Sequence, residues 1–242
     1  MIKVTNYADR AEIYIYGIII DDTDATLLDM ADVDTGYDWP SNIRKQLDEL
    51  KGKPLDVHIA SDGGNVAAGI AIYNLLKQHD APVTVYIDSW AASIASVIAL
   101  AGNTVKMPAN TFMMVHNPSA FANGDSAYLR SVADWLDKLR DMIVNTYKEA
   151  SSTLTVERIR ELMDAETWFT AQEASELFDK IELLPSNDLQ AVACYKSAFK
   201  SAPEAVNKAT ANDNGAVNSD VDEHKNVINE EIIKVLQEAY KL

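Results

Sequence analysis

The sequence predicts an α/β protein built from β-α-β units around a mostly parallel sheet. Across residues 1–184, short segments rich in β-branched and aromatic residues alternate with segments whose apolar residues recur at helical spacing. The connections between these segments are short. Strands joined through helices in this way lie parallel, and their crossovers are right-handed.

The first predicted elements are a strand, an acidic loop and a helix. Glu12–Ile20 (EIYIYGIII) is the strand, because it is β-branched and aromatic. The Asp-rich residues 21–38 are expected to form a solvated loop; a calcium site is the alternative, but the EF-hand spacing and its closing Glu are absent. Ser41 is expected to cap a helix that runs to Leu50, and Leu55–Ala60 is the second strand.

A glycine pair, Gly63-Gly64, separates the second strand from a helix with one apolar face, formed by Val66, Ile70, Tyr73 and Leu76. Val83–Ile87 is the third strand. Ala91–Ala101 is so poor in polar residues that its helix is expected to be buried on nearly all sides. The remaining predicted elements are strands at Thr104–Met107, Thr111–Val115 and Lys180–Leu184, and helices at Ser126–Ala150, Val156–Met163 and Ala171–Phe178.

Charge and composition exclude several classes of protein. Among 242 residues there are 21 Lys and Arg against 37 Asp and Glu, a formal net charge of −16. Nucleic acids and anionic membranes bind basic surfaces, so neither is an expected partner. The longest nearly apolar stretch, Ala91–Gly102, is too short to span a bilayer, and the N-terminus lacks a signal peptide's apolar core. The single cysteine, Cys194, fits a reducing compartment, so the cytoplasm is expected.

The composition changes near Pro185. Residues 201–226 contain no aromatic residue and few large aliphatic residues, which is typical of a flexible linker. Helical spacing of apolar residues returns after residue 227. We therefore expect a folded domain at 1–184, a largely disordered linker at 185–226 and an amphipathic helix at 227–242.

Two residues at predicted strand ends could carry chemistry. Ser93 follows a strand and begins the buried helix, where the helix dipole favours developing negative charge; the alternative is an ordinary helix cap. His116 follows the strand TFMMV, where it can act as a base, or can simply close the strand. His58, inside a strand, and His79, at a helix C-terminus, are poorer candidates.

The glycine pair lies between a strand and a helix, where backbone N–H groups can face a ligand without a Cβ in the way. Such amides can cradle a phosphate or form half of an oxyanion hole. The P-loop and dinucleotide-binding patterns are both absent, so the oxyanion interpretation is favoured.

Taken in order, the segments SDGGNVAAGIAIYNLLK, AASIASVIALAG, MMVHNP and ETWFTAQEA resemble the proteolytic subunit of the Clp protease. More narrowly, they resemble the Clp-type prohead, or head maturation, proteases of tailed phages. The resemblance covers about residues 12–184. It implies a Clp protease/crotonase-like spiral of β-α-β units with a long handle helix, serine endopeptidase activity, and neither a cofactor nor a metal.

The resemblance also implies roles for particular residues. Ser93 matches the nucleophile, His116 the general base and Glu166 the third carboxylate, although aspartate is usual there. Asp164 is close enough in the chain to be the alternative carboxylate.

The backbone N–H groups of Gly63 and Ile94 match the oxyanion pair. Two nearby residues depart from the family pattern: Asp62 replaces a proline and Ala95 replaces a glycine. On this assignment Ser93→Ala abolishes cleavage, whereas Ser96→Ala retains most activity.

The long predicted helix carries more apolar surface than one small domain needs, at Tyr128, Val132, Trp135, Leu139, Met142, Ile143 and Tyr147. In the family this region is the handle by which rings interdigitate, and the subunits form heptameric rings. We therefore expect a homo-oligomeric ring, as a heptamer or stacked rings, acting on capsid or scaffold proteins. A Clp ATPase is an open possibility as a further partner, and any use of ATP must come from another chain.

Two other functions remain open from the residues. One is a crotonase-like acyl-CoA hydratase or isomerase, which shares the spiral units and the backbone oxyanion hole but does not need Ser93 paired with His116. The other is a non-catalytic assembly protein on the same fold.

Overall fold

The computed structural model describes residues 4–30 and 36–185. The strands are β1 (Val4–Asn6), β2 (Ala11–Ile19), β3 (Tyr37–Asp38), β4 (Leu55–Gly64), β5 (Val83–Ala92), β6 (Thr104–Pro108), β7 (Phe112–Val115), β8 (Thr167–Thr170) and β9 (Ile181–Leu184). The helices are α1 (Asp22–Met30), α2 (Pro40–Glu49), α3 (Val66–Lys77), α4 (Ile94–Ala99), α5 (Ser126–Glu149), α6 (Val156–Asp164) and α7 (Ala171–Leu177). Residues 186–226 of the expected linker and the expected C-terminal helix at 227–242 lie outside the described residues.

The nine strands form one sheet whose main path is β1-β2-β4-β5-β6-β9. Neighbours along this path are parallel, except that β1 is antiparallel to β2. A side branch adds β7, parallel to β5, and β8, antiparallel to β7. The predicted α/β class, with a mostly parallel sheet and a long helix, is confirmed.

Strand β5 pairs with two different strands along its length. Residues 84–86 pair with β6, and residues 90–92 pair with β7. The C-terminal ends of β5 and β7 therefore lie side by side. Because the chain leaves neighbouring parallel strands at the same edge of a sheet, Ser93 and His116 emerge next to each other.

Helix α4 lies in the centre of the core. Every residue from Ile94 to Ala99 is buried, as the low content of polar residues predicted. The helix begins later than predicted, because Ala91 and Ala92 extend β5 instead. It packs closely on α3, where a Cβ added to Gly69 would lie 2.2 Å from Ile94 Cγ1.

The buried face of α3 differs from the predicted one. Val66, Ile70 and Tyr73 are only partly buried. The residues that α3 buries are Ala68, Gly69, Ile72 and Leu76. Small residues face the core here because α4 comes too close to leave room for larger side chains.

The acidic stretch after β2 forms helix α1 at Asp22–Met30, so the prediction of a solvated loop is wrong for these residues. Asp21 Oδ1 accepts hydrogen bonds from the amides of Thr23 and Asp24, both at 2.9 Å, and so caps α1. Ser41 is not a cap: Trp39 holds the cap position of α2, and the Ser41 amide donates to Asp22 Oδ1.

In the part of the chain that the structure describes, no group of three or more His, Cys, Asp or Glu side chains could hold a metal ion. Within the same residues, no helix is long and apolar enough to cross a membrane.

Candidate active site

Ser93 lies at a strained turn between β5 and α4. Its φ of 56° and ψ of −130° place a residue with a side chain in a region that favours glycine. Its amide donates to Met114 O at 3.0 Å, which ties the turn to β7. The Ser93 side chain occupies the cap position of α4 but makes no capping hydrogen bond. Its hydroxyl is therefore engaged elsewhere.

His116 is the partner of that hydroxyl. The ring Nε2 lies 2.7 Å from Ser93 Oγ. Burial lowers the pKa of His116, and the charge of Glu166 acts in the opposite direction and raises it. A ring that is neutral at physiological pH and hydrogen-bonded to a hydroxyl can remove its proton.

Glu166 reaches this site through a turn between α6 and β8. Its φ of 49° is again positive, and its amide donates to Met163 O at 3.2 Å. Strand β8 then pairs with β7, with Thr167 opposite Val115. Residues 166 and 116 therefore adjoin at the same end of this ladder.

Asp164, the alternative carboxylate, binds other groups. Its Oδ1 accepts from Asn117 Nδ2 at 2.8 Å and from the Arg140 guanidinium at 2.7 Å. Its side chain is 57% exposed. The two carboxylates thus differ in their surroundings: the charge of Glu166 raises the pKa of His116, whereas Asp164 is hydrogen-bonded to Asn117, the residue after His116.

Gly63 packs directly against Ser93. With φ at +92°, a Cβ added to Gly63 would lie 2.7 Å from Ser93 Cβ and 3.1 Å from the Ile94 nitrogen. The amides of Gly63 and Ile94 therefore belong to the same small region. In this structure the Gly63 amide donates to Ser61 Oγ at 3.1 Å. The sequence, by contrast, predicts an amide that faces a ligand. Ile94 begins α4, where an amide has no acceptor within its own helix.

Asp62, which departs from the family pattern, makes a specific contact beside this region. Its Oδ1 accepts from Trp90 Nε1 at 2.7 Å. Burial raises the pKa of Asp62 to about 6, although this hydrogen bond acts in the opposite direction. Trp90 packs with Ala92 and Met114 in a small cluster separate from the main core.

The other two described histidines lie in different environments. His58 is stacked between Tyr14 and Tyr86, with centroid distances of 4.8 and 4.9 Å, and its Nδ1 lies 2.8 Å from Asp88 Oδ2. His79 Nε2 lies 2.8 Å from a backbone carbonyl oxygen, that of Lys53. His116, rather than these two, lies against the Ser93 hydroxyl, in keeping with the preference for His116.

Two residues near Ser93 have contacts that the sequence did not indicate. Ser96 Oγ donates to Ser93 O at 2.6 Å and lies 2.7 Å from the hydroxyl of Tyr147 on α5. From the sequence, Tyr147 belongs only to the apolar surface of the long predicted helix. Its hydroxyl could not be placed from helical spacing, which predicts faces but not the partner on another helix.

Comparison with known proteins agrees with the fold. A family model described as Clp protease matches residues 20–181. The ATP-dependent Clp protease proteolytic subunit 1 of Protochlamydia amoebophila is 33% identical over 136 residues, which are 54% of this chain and 66% of that protein. The corresponding subunit 1 of Chlamydia pneumoniae is 35% identical over 150 residues, which are 58% of this chain and 77% of that protein.

Among solved structures, a point mutant of ClpP1 from Listeria monocytogenes aligns with a TM-score of 0.59 at 24% identity. The alignment covers 73% of this chain and 92% of that one, so the folds agree. The chain spans slightly less than two thirds of the first curated relative that it matches.

Proposed function

The chain belongs to the Clp protease family, and from this we propose that it is a serine endopeptidase. The observation that carries the proposal is the 2.7 Å separation of Ser93 Oγ and His116 Nε2 at a strained strand-to-helix turn. A nucleophile of this kind requires a base within hydrogen-bond distance, itself oriented by a third group.

The proposed reaction proceeds through an acyl-enzyme. Ser93 Oγ attacks the peptide carbonyl while His116 Nε2 takes its proton. The imidazolium then gives that proton to the leaving amine as the C–N bond breaks. A water molecule then attacks the ester carbonyl of the acyl-enzyme, with His116 again as the base. This step releases the carboxylic acid product and free Ser93.

Glu166 is proposed as the third member, with Asp164 excluded from that role. Two observations support the choice. The charge of Glu166 raises the pKa of His116, which is the effect needed to stabilise an imidazolium. Asp164 is already bound to Asn117 and Arg140.

The amides of Gly63 and Ile94 are proposed to hold the tetrahedral oxyanion. Their proximity to Ser93 supports this, as does the position of Ile94 at a helix N-terminus. The Gly63 amide must exchange its hydrogen bond with Ser61 Oγ for one with the substrate oxygen.

A homo-oligomeric ring is proposed from α5. Its C-terminal part is buried at Ile143, Val144 and Tyr147, whereas Tyr128 and Trp135 are 52% and 57% exposed. Large exposed aromatic side chains on one helix are typical of an interface. The curated relatives are named ATP-dependent, which supports a Clp ATPase as a second partner of this chain.

Capsid or scaffold proteins of phages are the proposed substrates. Support comes from the motif resemblance to head maturation proteases alone. Incubating the purified chain with prohead proteins, with and without a Clp ATPase and ATP, tests both ideas; cleavage of unfolded casein but of no prohead protein contradicts the substrate class.

The endopeptidase proposal is tested by mass spectrometry after reaction with a fluorophosphonate. Labelling of Ser93, together with loss of casein cleavage in Ser93→Ala, is expected. An unlabelled, active protein would overturn the nucleophile. Binding of acyl-CoA without labelling would favour a crotonase-like enzyme instead.

A further inference from the structure

We infer that Ser96 and Tyr147 are positioning residues that hold the Ser93 turn in place through a buried chain of hydrogen bonds. The inference rests on the proposed function, because it concerns how the nucleophile is oriented. It also revises the expectation that Ser96→Ala retains most activity.

The carbonyl of Ser93 receives two hydrogen bonds from one residue. The Ser96 amide donates to it at 3.0 Å and Ser96 Oγ donates at 2.6 Å. The hydrogen bond from the backbone amide is part of the first turn of α4 and forms with any residue that has a backbone N–H at this position. The hydroxyl bond is specific to a serine-like side chain. Ser96 is completely buried, so no water competes for this contact.

Tyr147 completes the chain from the opposite side. Its hydroxyl lies 2.7 Å from Ser96 Oγ, and its side chain is buried. Because the Ser96 proton is directed to Ser93 O, the Tyr147 hydroxyl is the donor to Ser96 Oγ. Burial raises the pKa of Tyr147, so the phenol keeps its proton. The chain therefore runs from Tyr147 to Ser96 to Ser93 O.

The turn needs such support because its conformation is unfavourable. Ser93 has a positive φ, and such geometry persists only where surrounding contacts impose it. On one side the Ser93 amide is fixed by Met114 O of β7. On the other side its carbonyl is fixed by Ser96. Both peptide groups of the residue are held, which leaves the side chain directed at His116.

The test compares purified full-length Ser96→Ala, Tyr147→Phe and the double variant with wild type. The measurements are the second-order rate of Ser93 labelling by a fluorophosphonate, kcat and KM for a peptide, and Tm. Ser96→Ala is expected to lower the labelling rate and kcat about tenfold with KM unchanged, because one hydrogen bond to the Ser93 carbonyl is lost. Tyr147→Phe should lower both less, and the double variant should match Ser96→Ala, because the residues act in series.

Two further variants separate positioning from stability. Ser151→Ala removes another buried serine, whose Oγ accepts from the Leu154 amide at 3.0 Å in the turn after α5; it should lower Tm but not the labelling rate. Ser96→Cys keeps a weak donor and should recover part of the rate.

The outcomes are distinct. Labelling of both variants at the wild-type rate, even with a lower Tm, overturns the positioning role and leaves the proposed function intact. Wild-type protein that is not labelled at Ser93 overturns the proposed function and this inference together. If Ser96→Ala does not fold, Tyr147→Phe alone decides, since its effect on labelling must exceed that of Ser151→Ala.

Discussion

Val115 and Thr167 face each other across the antiparallel pair β7 and β8. His116 follows Val115, and Glu166 precedes Thr167, so this single pairing places the two residues side by side, where the charge of Glu166 raises the pKa of His116. Asp164 lies two positions further from the ladder and is directed to Asn117 and Arg140.

Glu166→Gln is therefore expected to lower kcat by at least about 10²-fold, because the imidazolium loses its counter-charge. Asp164→Asn is the matched control and should retain most activity. Peptide cleavage by both variants is the measurement. Inactivity of Asp164→Asn alone would show that the wrong carboxylate has been assigned.

The pH dependence of kcat/KM should report the environment of His116. Burial lowers the pKa of this imidazole, so the acid limb is expected below the ordinary histidine range. Glu166 raises that pKa, so Glu166→Gln should move the limb to still lower pH. The residual activity of Glu166→Gln is measured between pH 4 and pH 8 in steps of about half a pH unit. The profile is then compared with that of Asp164→Asn. A limb that moves to higher pH in Glu166→Gln contradicts the arrangement.

Gly63→Ala is expected to abolish activity and destabilise the fold by about 1–3 kcal/mol or more. The new Cβ would meet Ala92 O and Ser93 Cβ, each at 2.7 Å, in a backbone with φ of +92°. Gly52→Ala is a control, because Gly52 also has positive φ, +75°, but nothing lies within 4 Å of its Cβ position. It should lower the free energy of unfolding modestly and leave cleavage unchanged. Equal activity of the two variants would argue against close packing at Gly63.

Asp38→Asn should stabilise the protein above neutral pH. Asp38 is 3% exposed, burial raises its pKa to about 7, and its Oδ2 has no hydrogen-bond partner among the described residues. The folded state holds this proton more tightly than the unfolded chain, so stability is greatest below the unfolded value of 3.8 and falls as pH rises to about 7.

The amide resembles the protonated acid in shape, so Asp38→Asn should avoid that loss. We expect a gain of about 2–4 kcal/mol at pH 8 and almost none near pH 4. Urea unfolding at both pH values measures it, with the exposed Asp48→Asn as a control. A gain of equal size at both pH values would assign the effect to something other than this proton.

Trp135→Glu is expected to disrupt assembly without unfolding the subunit. The side chain is 57% exposed on α5 and contributes little to the core, so Tm should change slightly. Light scattering should show an oligomer for the wild type and a smaller species for Trp135→Glu. Asp137→Ala, exposed on the same helix, should leave the mass unchanged. A wild-type monomer of 26.7 kDa would contradict the ring.

The alternation of strands and helices could be predicted because it depends on local patterns. β-branched runs, apolar spacing and glycines determine which segments are extended and which are helical, and the predicted α/β class is confirmed. The burial of α4 was also predictable, since a helix with so few polar residues has no polar face to present to water. Acidic composition misled the interpretation of residues 21–38, because Asp21 caps a helix there instead of remaining in a solvated loop.

The positions of Ser93 and His116 at strand ends follow from the sequence, but their 2.7 Å contact depends on β5 pairing with β7 beyond its pairing with β6. Likewise, only the Val115–Thr167 register distinguishes Glu166 from Asp164, and only the packing of α5 on α4 joins Tyr147 to Ser96. The sequence by itself determined the elements and the chemically capable residues. Tertiary structure decided which of them meet, because contacts between distant segments depend on register and on the space left by small side chains, and local spacing encodes neither.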